Sequence, residues 1–389
     1  MKKLFTLAAA SVLAAGSLSA QAQVVLDGQL TAAEVTAGNY VLLGKFTNPR
    51  GFGDWGLLSL YAASTPTKVY FFVGGNVEAK TGAQGNSFQL FMNLPGVTGV
   101  PAGTALPAGS DAFSGMTAKM ELESDLALAL TQEGTDWQIQ GAAYTSATTG
   151  SSQKLTTTAG VVAGNGTPQT LAATATVGAI FEKLAGARVA YKNTTDGKVT
   201  SNPGNVTPNT DPTYGGVGSY GWEIELDRTA MGLATGTPAL QVFVLQNNDN
   251  GSYLSTDFIP QTSAPNGNLT NASTVDFTAI AGRQYSNITL SANGVLGTQS
   301  AAAAAMGLTV APNPVAGRAT ISYTVAAGSE QVRIALTDLL GREVRVLENG
   351  TKAAGAQTLD LNAANLAAGT YLVKVQQGNR TATRKVVLL

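Results

Sequence analysis

Residues 320–325 read Thr-Ile-Ser-Tyr-Thr-Val, a regular alternation of polar and apolar side chains. The same period of two recurs at 332–337, 343–346 and 371–376. Because successive side chains of a strand point to opposite faces, each run places one face in a core and the other in solvent. Turn-forming pairs separate the runs, namely Leu340-Gly341, Asn349-Gly350, Ala368-Gly369 and Gly378-Asn379. The pattern predicts a small antiparallel sandwich of about seven strands.

Upstream of this region the chain changes character. Five alanines occupy 301–305, and Pro312 and Pro314 follow shortly afterwards. Proline lacks a backbone donor and favours an extended conformation in the residue before it. We therefore interpret 291–308 as an Ala/Gly-rich linker between two domains.

Five short motifs follow the linker in a fixed order. They are Pro312-Asn313-Pro314, Thr337-Asp338-Leu339-Leu340-Gly341-Arg342, Leu359-Asp360-Leu361, Leu366-Ala367-Ala368-Gly369-Thr370-Tyr371 and Lys385-Val386-Val387. In this order they make residues 309–389 resemble the type A sorting domain of the type IX secretion system. Ala311 departs from the pattern, since an aromatic residue is common before the Pro-Asn-Pro motif.

The resemblance implies an export function for residues 309–389. Such a domain presents its chain to an outer-membrane translocon and is then removed, often with attachment of the cargo to surface lipopolysaccharide in Bacteroidetes-type bacteria. Gly341 and Gly369 fit turns that require a positive φ, and Asp338 fits a turn-capping acid. A generic Ig-like stalk would show the same alternation without the terminal order of motifs that ends at Lys385.

The N-terminus has the features of a secretory signal. Met1 is followed by two lysines, residues 4–15 are apolar, and Ala20 and Ala22 stand at the −3 and −1 positions of a cleavage site before Gln23. The apolar stretch is short for a membrane anchor, which needs about 20 residues. We expect a cleaved signal peptide at 1–22, with the Sec machinery and signal peptidase as partners.

Composition excludes much chemistry. The 389 residues include no cysteine and no histidine, and 12% are charged against about 25% in an ordinary domain. Disulfides, catalytic triads with histidine, and histidine- or cysteine-ligated metals are therefore excluded. Residues 23–306 hold 12 basic and 19 acidic side chains, whereas 307–389 hold 9 and 5. The net charge of −1 gives no case for nucleic-acid binding.

The cargo, residues 23–290, also has the period of strands. Apolar and polar or aromatic side chains alternate at 69–73, 88–93, 222–227 and 240–245. We expect one large jelly-roll-like antiparallel β-sandwich. Weak periodicity predicts surface loops at about 94–115 and 146–170, and a helix is expected only near 177–184.

A looser resemblance concerns the same domain. It rests on Leu26-Asp27-Gly28-Gln29-Leu30, Lys68-Val69-Tyr70-Phe71-Phe72-Val73, Asn86-Ser87-Phe88-Gln89-Leu90-Phe91, Gly221-Trp222-Glu223 and Ala230-Met231-Gly232-Leu233. These stretches are similar to family 9 carbohydrate-binding-like sandwiches. The resemblance implies a secreted sandwich that binds a polysaccharide.

One loop is the candidate for sugar contact. Trp55 follows Asp54 in the glycine-flanked stretch 51–56. An exposed aromatic face can stack on a sugar ring, and a neighbouring carboxylate can bind its hydroxyls. Trp137 and Trp222 are in phase with apolar strand positions and are expected in the core.

The carboxylates carry the competing hypothesis of catalysis. Glu121, Glu123 and Asp125 alternate with apolar residues, as do those of 223–227. Same-face neighbours lie about 7 Å apart, a separation compatible with an inverting glycosidase. Alternation with apolar residues, however, predicts a solvated strand face. The stretch 247–251, Asn-Asn-Asp-Asn-Gly, fits a hairpin turn better than a calcium loop.

Together these observations predict an exported protein whose cargo is a non-catalytic binding module for carbohydrate. No cofactor is expected, although calcium near Asp27 or at 247–251 remains open. The alternatives are a structural or adhesive surface protein and a carboxylate-dependent carbohydrate-active enzyme. Two carboxylates that converge in a cleft would favour the enzyme, and an exposed aromatic pair beside Trp55 would favour binding.

Overall fold

The computed structural model describes most of the chain after the predicted leader. The described residues are 24–36, 40–79, 85–133, 136–156, 162–171, 178, 180–208, 211, 213–234, 238–261, 267–291, 294–296, 306, 308–325, 330–337, 343–377 and 380–389. The predicted features that lie outside them are the signal peptide at 1–22 with Ala20, Ala22 and Gln23, most of the linker, and Asp338, Gly341 and Arg342.

The described residues form an almost entirely β-structure, which confirms the predicted fold class. The cargo strands are β1 Val41–Lys45, β2 Gly56–Ser64, β3 Lys68–Asn76, β4 Asn86–Asn93, β5 Leu126–Glu133, β6 Asp136–Ser146, β7 Thr149–Lys154, β8 Gln169–Thr170, β9 Arg188–Tyr191, β10 Gly221–Asp227, β11 Ala239–Asn248, β12 Tyr253–Ile259, β13 Thr270–Asn271, β14 Ser286–Ser291 and β15 Gly294–Leu296. Helical segments are the α-helix Ala32–Thr36 and the 3₁₀ turns Asp111–Phe113, Phe181–Leu184, Val199–Ser201, Ala272–Thr274 and Phe277–Ala279.

The cargo strands form two antiparallel sheets. The six-stranded sheet has the order β1-β2-β3-β10-β9-β8. The nine-stranded sheet has the order β13-β12-β11-β4-β5-β6-β7, with β14 paired to β11 and β15 to β14. A cluster of buried apolar side chains draws on both sheets, including Phe71 and Ile224 from one and Leu90, Leu128 and Val244 from the other. The two sheets therefore enclose one core, as in a sandwich.

The outer face of the nine-stranded sheet is also covered. Phe91 and Phe243 pack there against Phe113 and Phe277, which belong to connecting segments. The prediction that 94–115 is a surface loop is therefore wrong, because apolar side chains of this stretch are buried against the sheet. Apolar side chains at irregular spacing carry no periodic signal, yet they fold back as a second layer over the sheet.

The outer face of the six-stranded sheet has a similar cover. Leu30 and Tyr40 of the N-terminal segment, residues 24–36 and 40, pack on Tyr61 and Phe72. Every residue of β2 is buried. Part of the second predicted loop, 146–170, is strand β7. β2 therefore does not follow the simple rule that one face of a strand is buried and the other is solvated.

The tail, residues 309–389, forms a small sandwich whose described residues contain seven strands, as predicted. Its strands are β16 Thr309–Ala311, β17 Arg318–Val325, β18 Glu330–Thr337, β19 Glu343–Lys352, β20 Gly355–Asn362, β21 Gly369–Gln377 and β22 Arg380–Leu388. The sheet orders are β16-β17-β20 and β19-β18-β21-β22. The tail core cluster draws on residues between 306 and 388, and the cargo clusters draw on residues between 24 and 295.

One tail strand differs from its predicted orientation. Val344 and Val346 of β19 are 41% and 44% exposed, although the alternation predicted that they face the core. The register between β18 and β19 shifts twice, between Ile334 and Ala335 and between Leu336 and Thr337. β-Bulges of this kind change which side chains face inward, and sequence alternation does not reveal them.

Within the described part of the chain, no helix has the length and apolar character needed to cross a bilayer.

Candidate functional site

The predicted sugar-contact loop is held at both ends by one buried carboxylate. We call residues 51–56, which lead into β2, the aromatic loop. Asp257 of β12 accepts a hydrogen bond from the backbone N–H of Gly51 at 3.0 Å and another from that of Leu57 at 3.3 Å. The Ser255 hydroxyl donates to the same carboxylate at 2.9 Å. Asp257 is completely buried, so these hydrogen bonds attach the loop to β12 at a site that solvent does not reach.

Glycines permit this close approach. A Cβ atom at Gly56 would collide with Asp257 Oδ2, and one at Gly51 would collide with Asn268 Oδ1. Gly53 has a φ of +76°, a conformation that favours glycine at the turn of the loop. The glycine-flanked sequence is therefore required by the geometry of the loop.

The loop presents an aromatic pair. Phe52 stacks on Tyr253, the first residue of β12, with ring centroids 6.1 Å apart and an interplanar angle of 29°. Tyr253 is 41% exposed, and Phe52 and Trp55 are half-buried. Phe52 and Tyr253 lie in distant parts of the chain, so no local sequence pattern predicts that they form a pair.

Asp54 has a structural partner. Its carboxylate accepts from the Thr200 backbone N–H at 3.0 Å and from the Thr200 hydroxyl at 2.6 Å. The Asp54 carbonyl also accepts from the Val199 N–H at 2.8 Å. These contacts cap the 3₁₀ turn Val199–Ser201 and tie the aromatic loop to a second segment. Asp54 therefore has fewer free acceptor positions for a ligand than its sequence context indicates.

The electrostatics of the loop anchor follow from burial. Loss of solvent raises the pKa of Asp257 to about 6, while its hydrogen bonds and the nearby Arg50 oppose the rise. Arg50 donates to Asn205 Oδ1 at 2.9 Å and to the Tyr214 hydroxyl at 3.1 Å. The carboxyl group of Asp257 thus changes charge in a mildly acidic range.

The acidic residues of β10 are not a solvated face, contrary to the prediction. Glu223 is completely buried, and Glu225 is 7% exposed with Arg188 at 3.3 Å and Lys68 at 3.9 Å. Burial raises the pKa of Glu223 to about 8. The prediction failed because the N-terminal segment covers this face, and that cover comes from residues almost 200 positions away.

The other carboxylate series is also rearranged. Residues 121–125 precede β5 and form bends and an isolated bridge instead of a strand. Asp125 is fully buried, accepts from the Leu94 N–H at 2.6 Å, and has a pKa raised by burial to about 7. Glu123 accepts from the Gly99 N–H at 2.9 Å, and Glu121 accepts from the Gln284 N–H. These acids fasten covering loops to the sheet.

The stretch 247–251 forms the predicted hairpin turn between β11 and β12. Asn247 accepts from the Ser87 hydroxyl at 3.0 Å, and Asn248 donates to the Ser252 hydroxyl at 3.1 Å. Across the residues that the structure describes, three or more acidic side chains do not converge as a metal site would require.

A polar depression of about 210 Å³ adjoins the same turn. Its lining comes from four separate stretches of the chain and includes Asp111, Ser114, Gln132, Gln140 and Asp249. No local sequence motif predicts this depression, because its lining residues are far apart in the sequence. Several lining groups already have partners: Gln140 accepts from the Ala112 N–H at 2.7 Å, and Asp111 lies 3.8 Å from Lys154.

The remaining tryptophans lie in the core, as predicted. Trp222 is completely buried and Trp137 is 7% exposed. Trp137 packs edge-to-face on Tyr191 with centroids 4.8 Å apart.

The described sorting-motif residues occupy the tail as follows. The Tyr371 hydroxyl donates to the Ala367 carbonyl at 2.9 Å, and Leu366 packs on the tail core. Gly369 has a φ of +157° and pairs with Leu388 at the start of β21. Pro312, Asn313 and Pro314 are exposed and precede β17, while Lys385 is exposed on β22. The motifs thus meet around the first and last segments of one small domain.

These features define a β-sandwich cargo followed by a small C-terminal β-sandwich. Residues 309–389 match the family model described as "Secretion system C-terminal sorting domain". The tail is a type IX sorting domain, and it directs the chain through the periplasm to the cell surface or the extracellular space.

Two solved structures show only distant similarity. One is dimeric latent PorU from Porphyromonas gingivalis, at 12% identity with a TM-score of 0.20, covering 90% of this chain and 34% of that one. The other is the CupB6 tip adhesin from Pseudomonas aeruginosa, at 10% identity with a TM-score of 0.13, covering 90% and 93%. This chain thus spans about a third of the PorU chain. No curated protein sequence matches it.

Proposed function

We propose that the cargo is a non-catalytic module that binds carbohydrate on the bacterial surface. In this proposal the Sec machinery exports the chain and signal peptidase removes 1–22 before Gln23. The type IX translocon and its attachment machinery of a Bacteroidetes-type bacterium then act on the tail. A polysaccharide is the ligand of the mature cargo.

The stacked pair Phe52 and Tyr253 carries the binding proposal. Aromatic faces at a surface offer C–H-rich sugar rings a flat apolar contact, and a fixed platform loses little conformational entropy on binding. Asp257 and Asp54 fasten the loop that carries Phe52 and Trp55, so the platform is preorganised. A stacked aromatic pair whose Tyr253 ring is exposed, and whose other ring lies on the loop that carries Trp55, is the feature that favours binding over a purely structural role.

The arrangement of the acids supports a role without catalysis. Glycoside hydrolysis needs two carboxyl groups on either side of an accessible substrate. Burial raises the pKa of the half-buried Glu78 as well, but the fully enclosed carboxyl groups with raised pKa values are the three of Asp125, Glu223 and Asp257. Each already accepts hydrogen bonds from backbone N–H groups of a covering segment. Their environment fits structural anchoring.

A glycan array with purified residues 23–389, with and without calcium, tests the proposal. Phe52→Ala, Tyr253→Ala and Trp55→Ala should each weaken selective binding by about tenfold or more, as expected for central aromatic contacts. Tyr285→Ala is the matched control, because Tyr285 is a half-buried aromatic residue outside the loop. Absence of binding under both conditions would overturn the proposal in favour of a structural or adhesive surface protein. If all three aromatic variants keep wild-type binding, the glycan site lies elsewhere on the cargo.

A further inference from the structure

Asn313 links the beginning of the tail to its last strand. Its side-chain Nδ2 donates to the Lys385 carbonyl at 3.0 Å, and its Oδ1 accepts from the Val387 backbone N–H at 2.9 Å. A single planar amide therefore satisfies two backbone groups of β22. We call this pair of hydrogen bonds the edge clasp.

The neighbouring prolines explain why a side chain is used. Pro312 and Pro314 have no backbone N–H, so this short segment cannot donate to β22 as an ordinary strand does. An asparagine amide supplies one donor and one acceptor together, whereas an aspartate supplies acceptors alone. The Pro-Asn-Pro motif thus replaces a backbone ladder with one side-chain amide.

The backbone continues the pairing immediately after the motif. Val315 N–H donates to the Val387 carbonyl at 2.8 Å, and Leu389 N–H donates to the Val315 carbonyl at 3.0 Å. On its other side, β22 is paired with β21 along nine residue pairs from Gly369–Leu388 to Gln377–Arg380. Residues 313–315 therefore cover the outer edge of β22 from Lys385 onward.

A closed edge has consequences for recognition. An open edge strand pairs with other chains, and a terminal strand held on one side frays. In the register that β22 adopts, Lys385 and Leu389 are exposed while Val386 and Leu388 are buried in the core.

We propose that Asn313 is a positioning residue for sorting, whose amide holds the C-terminal strand in the conformation that the type IX machinery binds. This proposal rests on the sorting role of the tail and is independent of any glycan. In this role the Pro-Asn-Pro motif positions β22, a function that the sequence of the motif alone does not predict.

The test compares four variants of the full chain in a bacterium that carries a type IX secretion system. Asn313→Ala removes both clasp bonds, and Asn313→Asp removes the donor to Lys385. Asn349→Ala is the matched control, because Asn349 is an exposed tail asparagine whose side chain accepts from Gln331 away from the clasp. Ile321→Val trims the tail core at a fully buried site on β17 and serves as a stability control.

Two readouts are measured, namely amide exchange at Val387 in the purified chain and the fraction of cargo that reaches the cell surface. We expect Asn313→Ala to accelerate Val387 exchange by about tenfold, and Asn313→Asp to accelerate it less, because its carboxylate still accepts from the Val387 N–H. Both variants should lower the surface fraction several-fold, because each loses the donor to the Lys385 carbonyl. Both controls should export normally, including Ile321→Val at equal or greater loss of tail thermal stability.

Three results would overturn the proposal. Unchanged Val387 exchange in Asn313→Ala would show that the clasp does not hold the edge. Faster exchange with normal export would show that the machinery does not depend on it. An equal export defect in Ile321→Val at matched stability would show that export follows the general stability of the tail.

Discussion

Tyr40 donates its phenolic hydrogen to Glu223 Oε1 at 2.5 Å, and both side chains are buried. The second carboxyl oxygen of Glu223 accepts from the N–H groups of Asp27 at 2.9 Å and Gly28 at 3.0 Å. One acidic side chain on β10 therefore fastens two parts of the N-terminal segment to the six-stranded sheet. This contact explains why an apparently solvated acidic face is covered.

We predict that Glu223→Gln flattens the pH dependence of cargo stability. Burial raises the folded-state pKa of Glu223 from 4.5 to about 8, so the folded chain binds more protons than the unfolded chain between these values. The free energy of unfolding of the wild-type cargo should therefore fall as pH rises from 4.5 to 8. Urea unfolding at pH 5, 6, 7 and 8 measures this slope.

Asp125 and Asp257 contribute with the same sign, so the wild-type decline has several sources. Glu182→Gln changes an exposed carboxyl group and is the control for Glu223→Gln. Parallel pH profiles for the wild type and Glu223→Gln would contradict the assignment.

The aromatic loop should loosen in Asp257→Asn. Asparagine keeps one acceptor, but its NH₂ group faces a backbone donor at either Gly51 or Leu57. An unsatisfied buried donor costs about 1–3 kcal/mol, and amide exchange at Gly51 and Leu57 should accelerate accordingly. Asp196→Asn, at an exposed carboxyl group, should leave both amides unchanged. Protection of Gly51 equal to that of the wild type would show that Asp257 does not anchor the loop.

Phe113→Ala tests whether the irregular stretch 94–115 is part of the packed fold. Phe113 is 1% exposed and packs edge-to-face on Phe91 with centroids 6.4 Å apart. Its removal should destabilise the cargo by about 3–5 kcal/mol, as measured by urea unfolding. Val217→Ala, at a 42% exposed site, should change stability by less than about 0.5 kcal/mol. A similarly small loss of stability in Phe113→Ala would show that 94–115 is a surface loop that adds little to the packed fold.

The mature cell-bound or released protein should lack residues 309–389, as measured by intact mass and C-terminal peptides. Deletion of these residues should leave the cargo in the periplasm, because the tail carries the export signal. Recovery of the full C-terminus from the medium, together with normal export of the deletion variant, would refute the proposed removal and its role.

Local periodicity located four of the described tail strands, namely β17, β18, β21 and the first part of β19. The alternation at 320–325 and the turn at Ala368-Gly369 act over a few residues, so they fix local structure wherever the segments are placed. The turn predicted at Asn349-Gly350 is wrong, because both residues pair with β18 as part of β19, which continues to Lys352. Local periodicity did not predict the orientation of Val344 and Val346, because that depends on two bulges in the pairing with β18. The Asn313 clasp likewise joins residues 72 and 74 positions apart.

In the cargo, the sequence by itself determined the β-class, the hairpin at 247–251 and the burial of Trp137 and Trp222. The tertiary structure decided which second faces are covered, as at Glu223, whose contact with Asp27 spans 196 positions. It also decided that Phe52 meets Tyr253 and that Asp257 anchors the loop between them. The physical reason is that a side chain records its own preference for water or a core, whereas its neighbours are set by how distant segments pack together.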